Sequence, residues 1–361
     1  MSENLEKKWL KQAISKVPVG YSGTTAWQSP SNIALVKYWG KHGIQLPNNP
    51  SISLTLSASK SETSIKYERN NSGELRLKFF FEGKENPAFA EKIQRFLNQI
   101  SAYFPFLNQL SLQISSNNTF PHSSGIASSA SAMSALVMGV LALENKLTNS
   151  SETDYIKASY FSRLGSGSAS RSVFPVAAVW GKTTFLTESS DEFAIPVAQQ
   201  LHPVFQDFYD SILIIDSGTK SVSSRAGHAL MENNPFAPAR YQQANKNIHD
   251  LYSAMQSGDL ETFIRITEAE ALQLHALMMT SDPGYILMRP NSLAAINAIR
   301  NFRENTKTPI CFTLDAGPNI HLLYPAFARK KVLPFIEKKL LPLCVERFWI
   351  DDKVGQGATA I

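Results

Sequence analysis

The segment from Ser129 to Glu144 is apolar on most of its faces, and a helix of that kind has to be covered on every side by other elements. Its apolar stretch, Ala130 to Leu143, is broken by Ser134 and Gly139 and is shorter than the ~20 residues that cross a bilayer. The expected cover is therefore protein, and no membrane association is expected. Burying such a helix takes a sizeable fold, and 361 residues supply one. At roughly 100–200 residues per domain that length fits two domains. Hydrophobic residues at 43% and charged residues at 18% exclude a disordered chain.

Around this helix the pattern is mixed. Strand-like runs rich in β-branched or aromatic residues occur at Asn32 to Trp39, Ser51 to Leu56, Thr63 to Tyr67, Leu75 to Phe81, Leu110 to Ser115, Val173 to Trp180, Ser211 to Asp216 and Ile310 to Leu314. Helical spacing is read at Asn86 to Ala102, Ser151 to Leu164, Asn234 to Ser257, Leu260 to Met279, Asn291 to Glu304 and Val332 to Leu341. Met1 to Pro18 lacks the apolar block of a signal peptide and reads as a frayed helix or tail. The polar stretch Glu188 to Glu192 marks a boundary between two comparable halves.

Composition removes several function classes. Lys and Arg number 35 against 30 Asp and Glu, a net +5 spread along the chain with no long basic run, so no nucleic-acid partner is expected and a small anionic substrate fits equally well. Two distant cysteines, Cys311 and Cys344, are too few for a disulfide framework or an all-cysteine zinc site and suit a reducing, cytoplasmic setting. The seven histidines contain no i, i+4 pair, and no tightly held transition metal is implied. Gly181-Lys182-Thr183 lacks the first glycine of a phosphate-binding loop, since Val176 stands five positions before Gly181, and Gly165-Ser166-Gly167-Ser168-Ala169-Ser170 has serine at the third glycine of a dinucleotide fingerprint. Ser57-Ala58-Ser59-Lys60 has no partner motifs for a serine nucleophile and reads as strand and loop.

Five segments carry chemistry. Pro121-His122-Ser123-Ser124-Gly125-Ile126-Ala127-Ser128-Ser129-Ala130-Ser131 leads straight into the buried helix. It reads either as a serine-rich N-cap or as a loop whose backbone amides, helped by the helix dipole, receive an anion. Asn32-Ile33-Ala34-Leu35-Val36-Lys37-Tyr38-Trp39-Gly40-Lys41 interrupts a hydrophobic strand with two lysines and a tyrosine. Arg163 to Ser172 joins a glycine-serine backbone to a guanidinium suited to a carboxylate, Lys220 to Arg225 adds two cations and hydroxyls, and Thr313-Leu314-Asp315-Ala316-Gly317 places a carboxylate at a strand end.

The serine-rich loop resembles the phosphate-binding motif of the galactokinase, homoserine kinase, mevalonate kinase and phosphomevalonate kinase superfamily. Taken in order from about Thr24 to Val345, the five segments resemble the diphosphomevalonate decarboxylase family. The resemblance implies an α+β fold: an N-terminal domain like ribosomal protein S5 domain 2 over residues 1–195, a ferredoxin-like C-terminal domain over 196–361, and an active site in the cleft between them. It also implies ATP and Mg²⁺, a phosphorylated 3-hydroxy acid as substrate and a homodimer. By the same resemblance Asp315, Arg171 and Lys37 are the catalytic group: Asp315 orients or deprotonates the tertiary hydroxyl, Arg171 holds the substrate carboxylate, and Lys37 stands near the reacting groups. Asn32, Tyr38, Lys41, Ser166, Ser168, Lys220, Ser224 and Arg225 correspond to substrate-binding positions. Ser123, Ser124, Gly125, Ala127, Ser128, Ser129 and Ser131 correspond to the nucleotide-binding loop, with Ser128 and Ser129 facing the metal. The implied reaction is ATP-dependent decarboxylation of mevalonate 5-diphosphate. A monophosphate decarboxylase, a mevalonate 3-kinase and an inactive ATP-binding protein are the alternatives.

Two departures stand out. Pro175-Val176 occupies a place where the family has two glycines, and His122-Ser123-Ser124 replaces the usual Thr-Ala-Ala at the loop entrance.

Overall fold

The computed structural model describes residues 2–120, 126, 128–218, 222 and 224–361, without the side chains of Ser2, Ser224 and Arg225. The first half contributes helices α1 (Ser2–Lys11), α2 (Pro87–Ile100), α3 (Ser128–Thr148) and α4 (Tyr155–Gly165). Its strands are β1 (Ser22–Val36), β2 (Lys41–His42), β3 (Leu46–Pro47), β4 (Ser51–Arg69), β5 (Arg76–Phe81), β6 (Lys84–Glu85), β7 (Leu110–Asn118), β8 (Ala177–Trp180) and β9 (Ala194–Pro196). The second half contributes β10 (Phe208–Leu213), α5 (Ser224–Ala229), α6 (Ala237–Ser257), α7 (Leu260–Met279), α8 (Pro290–Thr306), β11 (Cys311–Thr313), β12 (Ile320–Pro325), α9 (Arg329–Phe335), β13 (Trp349–Lys353) and β14 (Thr359–Ala360).

These elements make a two-domain α+β fold. The larger sheet runs β14-β1-β4-β7-β5-β6, with β8 and β9 continuing from the other end of β4, and the smaller sheet runs β11-β12-β10-β13. The last strand crosses back to the first domain, pairing Trp27 with Ala360 and Gln28 with Thr359.

The apolar helix lies where its composition requires. Leu136, Val137, Met138, Val140, Leu141 and Leu143 of α3 are all buried, each contributing about 1.5–3 kcal/mol relative to exposure. Gly139 lets the helix sit directly on the sheet, since a Cβ there would come within 2.7 Å of Ile65 Cδ1. At 21 residues α3 extends one residue before and four beyond the expected span. The core continues across the two halves: Phe205, Phe208, Phe263 and Leu251 belong to the same cluster as Leu136 and Phe161.

Tertiary contacts alter several local expectations. Ser51 to Leu56 and Thr63 to Tyr67 are one 19-residue strand, not two. Between them the pairing with β1 slips, from Pro30↔Lys60 to Asn32↔Thr55, and the amides released by the bulge are taken up by a distant carboxylate. Ser57 and Ala58 donate to Asp352 Oδ1 at 2.8 and 2.7 Å, and Ser59 donates to Oδ2 at 2.8 Å. The expected strand Val173 to Trp180 begins only at Ala177, because Val176 stands at φ +61° and a tight turn closes around it through Ala177 N–H to the Pro175 carbonyl at 2.7 Å. The N-terminus is anchored and not a tail: Trp9 is 1% exposed, packs on Tyr160 at 5.1 Å between centroids, and donates to Asp154 at 3.3 Å.

Candidate active site

Strand β1 stops at Val36, three residues before the Trp39 expected from sequence. At Lys37 the backbone amide turns to a side chain of the other domain, donating to Glu270 Oε2 of α7 at 2.8 Å, while the Lys37 carbonyl accepts from Asn49 Nδ2 at 3.1 Å. That carboxylate is itself fully buried and also receives Arg240 Nη2 at 2.5 Å and Asn247 Nδ2 at 2.6 Å. The Lys37 ammonium meets Asp315 Oδ1 at 2.8 Å. Two positions 278 residues apart are thus joined across the interdomain cleft.

Asp315 follows β11 on a turn in which Gly317 N–H bonds the Asp315 carbonyl at 2.7 Å. Its carboxylate is about a quarter exposed while Lys37 is 2% exposed, so the acid faces the cleft and the base beneath it is sealed. Burial pushes the Lys37 ammonium below its ordinary value, and Asp315 works against that shift. The pair therefore aims the carboxylate at the cleft.

Arg171 stands near enough for its charge to act on Lys37 and to feel Asp315. It sits in the short helical turn after α4, Gly167–Arg171, and its guanidinium receives fixed partners: Nε and Nη2 donate to Asn32 Oδ1 at 3.2 Å each, and Nη1 donates to Ser51 Oγ. Asn32 is locked in turn by donating to Ser172 Oγ at 2.8 Å and the Ser168 carbonyl at 3.2 Å. Burial lowers the Arg171 value to about 10, which leaves it a cation at neutral pH. A buried, pre-oriented guanidinium is suited to a planar carboxylate.

These groups surround a chamber of about 310 Å³ that is also lined by Tyr38, Lys41, Ser166 and Ser168. Gly40, at φ +95°, turns the chain from Tyr38 to Lys41, and a side chain there would strike Tyr241. The Tyr38 hydroxyl is buried with no partner among the described residues. Lys41 donates to Gln45 Oε1 at 2.9 Å.

A second chamber of about 760 Å³ adjoins the first, and Lys41, Gln45, Ser129, Gly165 and Ser166 line both. Phe79, Phe81, Phe89 and Phe96 make an apolar wall, Lys92 and Arg95 stand at it, and Ser128 and Ser129 open onto it from the first turn of α3. Ser129 Oγ and Ser166 Oγ lie 3.4 Å apart at the junction. An elongated ligand with one apolar, planar end and an anionic middle fits this shape.

Of the residues expected from sequence, Asn32, Lys37, Tyr38, Lys41, Ser129, Ser166, Ser168, Arg171 and Asp315 all line the first chamber, and Ser128 lines the second. Ser131 does not line either. It is fully buried against β4, sharing a 2.7 Å hydrogen bond with Ser61 Oγ, because it lies on the sheet-facing side of α3. Ser123, Ser124, Gly125, Ala127 and Lys220 fall outside the described residues, and Ser224 and Arg225 are described only as the start of α5. Glu270 and the phenylalanine wall were not singled out by the sequence. Glu270 reads as a charge on a helix and the phenylalanines read as core, and nothing local distinguishes them from such roles.

The described residues contain no group of three or more His, Cys, Asp or Glu able to hold a metal. Hydroxyls at a helix N-terminus suit Mg²⁺ that arrives coordinated by nucleotide phosphates and keeps several waters, as this ion commonly does.

Residues 29–192 match the diphosphomevalonate decarboxylase-like N-terminal domain, and residues 211–354 match the mevalonate 5-diphosphate decarboxylase C-terminal domain. The diphosphomevalonate decarboxylase of Ganoderma lucidum is 30% identical over 332 residues, covering 86% of this chain and 80% of that one. That of Saccharomyces cerevisiae is 29% identical, covering 87% and 81%. Among solved structures, mevalonate diphosphate decarboxylase from Staphylococcus aureus superposes with a TM-score of 0.81 at 27% identity, over 94% of this chain and 98% of that one. MDDEF in complex with MVAPP, AMPPCP and magnesium gives 0.79 at 27% identity, over 94% and 99%. With two family domains filling most of its length in the same order, this chain belongs to the diphosphomevalonate decarboxylase family.

Proposed function

We propose that the protein converts mevalonate 5-diphosphate and ATP to isopentenyl diphosphate, ADP, phosphate and carbon dioxide. The observation that carries this reading is the Lys37–Asp315 pair at 2.8 Å, which with a buried Arg171 lines a chamber that adjoins a second, aromatic-walled one. A tertiary hydroxyl beside Asp315 gives its proton toward that carboxylate as the γ-phosphoryl group is transferred to the oxygen. Lys37 holds the carboxylate in place through that hydrogen bond. Arg171, fixed by Asn32 and Ser51, holds the substrate carboxylate so that the carbon–carbon bond can align with the carbon–oxygen bond of the departing phosphate. The first bond breaks to release carbon dioxide, its electron pair forms the alkene, and the second bond breaks to release phosphate. ATP·Mg²⁺ supplies the phosphoryl group with its charge neutralised, and the Ser128–Ser129 turn of α3 would receive the phosphates. The phenylalanine wall would take the base.

A reducing cytoplasmic setting and a homodimer belong to the same proposal; Cys311 and Cys344, both buried free thiols, are compatible with the former. The test is purified protein with ATP, Mg²⁺ and either mevalonate diphosphate or the monophosphate, following carbon dioxide and alkene, with Asp315→Asn alongside. The expected result is alkene from the diphosphate and a loss of roughly 10²–10⁴-fold in turnover in the variant, the range of a positioned acid–base group. Phosphorylated acid without carbon dioxide would point to a 3-kinase, and faster turnover of the monophosphate would reassign the substrate.

A further inference from the structure

His228 lies in α5 at the edge of the first chamber and is 8% exposed. Its ring makes tilted contacts with Tyr38 and Trp39, with both centroids at 4.5 Å and interplanar angles of 40° and 32°. Nδ1 accepts the Gly40 N–H at 2.9 Å. An acceptor at Nδ1 cannot carry a proton, so the neutral ring is protonated on Nε2. That N–H has no hydrogen-bond partner among the described residues, and the ring faces the chamber. Burial lowers the imidazole value to about 3, with the Lys41 charge acting in the same direction, and protonating Nδ1 would break the bond to Gly40. His228 is thus a neutral donor whose orientation is set by the Gly40 bond and by its contacts with two neighbouring rings.

A buried donor left without a partner costs about 1–3 kcal/mol, and such groups in a native fold call for an explanation. Here the Tyr38 hydroxyl is such a group, and on the adjacent ring the His228 Nε2–H, which opens to the chamber, also lacks a partner among the described residues, beside a lysine ammonium. A cluster of donors with a cation matches a group rich in oxygen acceptors. The Arg171 guanidinium is held by Asn32 and Ser51 and its charge reaches Tyr38, whereas the one charged side chain acting appreciably on the His228 ring among the described residues is Lys41. The phosphate end of the substrate therefore fits the His228 side.

We propose that His228 is a substrate-binding, specificity-determining residue that donates its Nε2–H to a phosphate oxygen of the substrate. The assignment rests on the reading of the chamber as a site for a phosphorylated hydroxy acid. A hydrogen bond to a charged group contributes roughly 10- to 100-fold in affinity, and a neutral donor adds it without a further cation beside Lys41.

Two isosteric substitutions separate this role from simple support of the Gly40 turn. Asn at 228 places an amide oxygen near the Nδ1 position and keeps the anchor to Gly40 but lacks the reach of Nε2, while Gln places its amide N–H near Nε2. Steady-state kinetics with mevalonate diphosphate are measured for wild type, His228→Asn and His228→Gln, with melting curves to establish folding. His228→Asn is expected to lower kcat/KM roughly 10- to 100-fold, mostly through KM, and His228→Gln to recover much of it. A purely structural role reverses the order, with Asn near wild type and Gln impaired, and overturns the proposal. Calorimetric binding of inorganic pyrophosphate is measured on the same three proteins and does not depend on turnover. If wild type lacks decarboxylase activity but binds pyrophosphate more tightly than His228→Asn, the reaction assignment fails and the His228 assignment stands. Equal binding by the two, or no binding by wild type, overturns the His228 assignment.

Discussion

Replacing Glu270 by Gln keeps the shape of the side chain and removes its charge at the point where the two domains meet. Glu270 is fully buried and accepts three donors: Lys37 N–H, Arg240 Nη2 and Asn247 Nδ2. Gln can keep the first two on its single carbonyl oxygen. Its amide nitrogen then faces Asn247, whose own amide must turn over, together with Gln243, which donates to Asn247 Oδ1 at 2.8 Å. What cannot be recovered is the counter-charge for Arg240, which is 7% exposed and whose Nε and Nη1 have no other partner among the described residues. Breaking a buried ion pair in this way costs about 3–5 kcal/mol. The lower end applies because the hydrogen bonds survive, so Glu270→Gln should cost about 3 kcal/mol, or roughly 4 °C in melting temperature for a chain of this length. Arg240→Met, which strands the carboxylate, should cost a similar amount. The double variant contains neither charge and should lose about 3 kcal/mol or less, well below the ~6 kcal/mol of an additive pair. Thermal and denaturant melts of the four proteins measure this directly. If the two losses simply add, Glu270 and Arg240 do not act as a pair. A wild-type melting temperature for Glu270→Gln would show that the charge contributes nothing. Because the Glu270 charge also supports the Lys37 ammonium against burial, Glu270→Gln should also lower turnover in the assay described above.

Two further outcomes follow from local geometry. Val176 is half-buried and β-branched at φ +61°, a conformation that costs an L-residue about 1–2 kcal/mol. Glycine relieves that strain and loses about 0.5–1 kcal/mol of chain entropy plus part of one apolar side chain, so Val176→Gly should stay within about 1 kcal/mol of wild type. Val179→Gly, in regular strand and 1% exposed, should cost several times more; equal losses in chemical denaturation would disprove the strain argument. For His228, the folded value of about 3 lies below the ordinary 6.5, so between those values the unfolded chain binds a proton that the folded ring refuses. Its contribution to stability is complete above pH 6.5 and falls by about 1.4 kcal/mol per pH unit below it. From pH 7 to 5.5, wild type should therefore lose about 1.3 kcal/mol more than His228→Phe, and parallel pH–stability curves would contradict the depressed value.

Where neighbours in sequence are neighbours in space, the chain's own pattern was sufficient. Helix α7 runs from Leu260 to Met279 as its 3.6-residue spacing and the Asp259 cap require, and α3 is buried because no arrangement can wet so many apolar faces. The five chemical segments could be recognised in the same way, as dense local clusters of residue types. The tertiary structure decided what depends on pairs far apart: the single bulged strand made possible by Asp352, the end of β1 set by Glu270, the Lys37–Asp315 contact, and the His228 tautomer set by Gly40. In each case a buried backbone or side-chain polar group had to find a partner, and the partner stood between about 190 and 295 positions away. A carboxylate such as Glu270 or Asp352 looks the same in sequence whether it faces water or satisfies three buried amides. Only the folded chain shows which donors were left for it to receive.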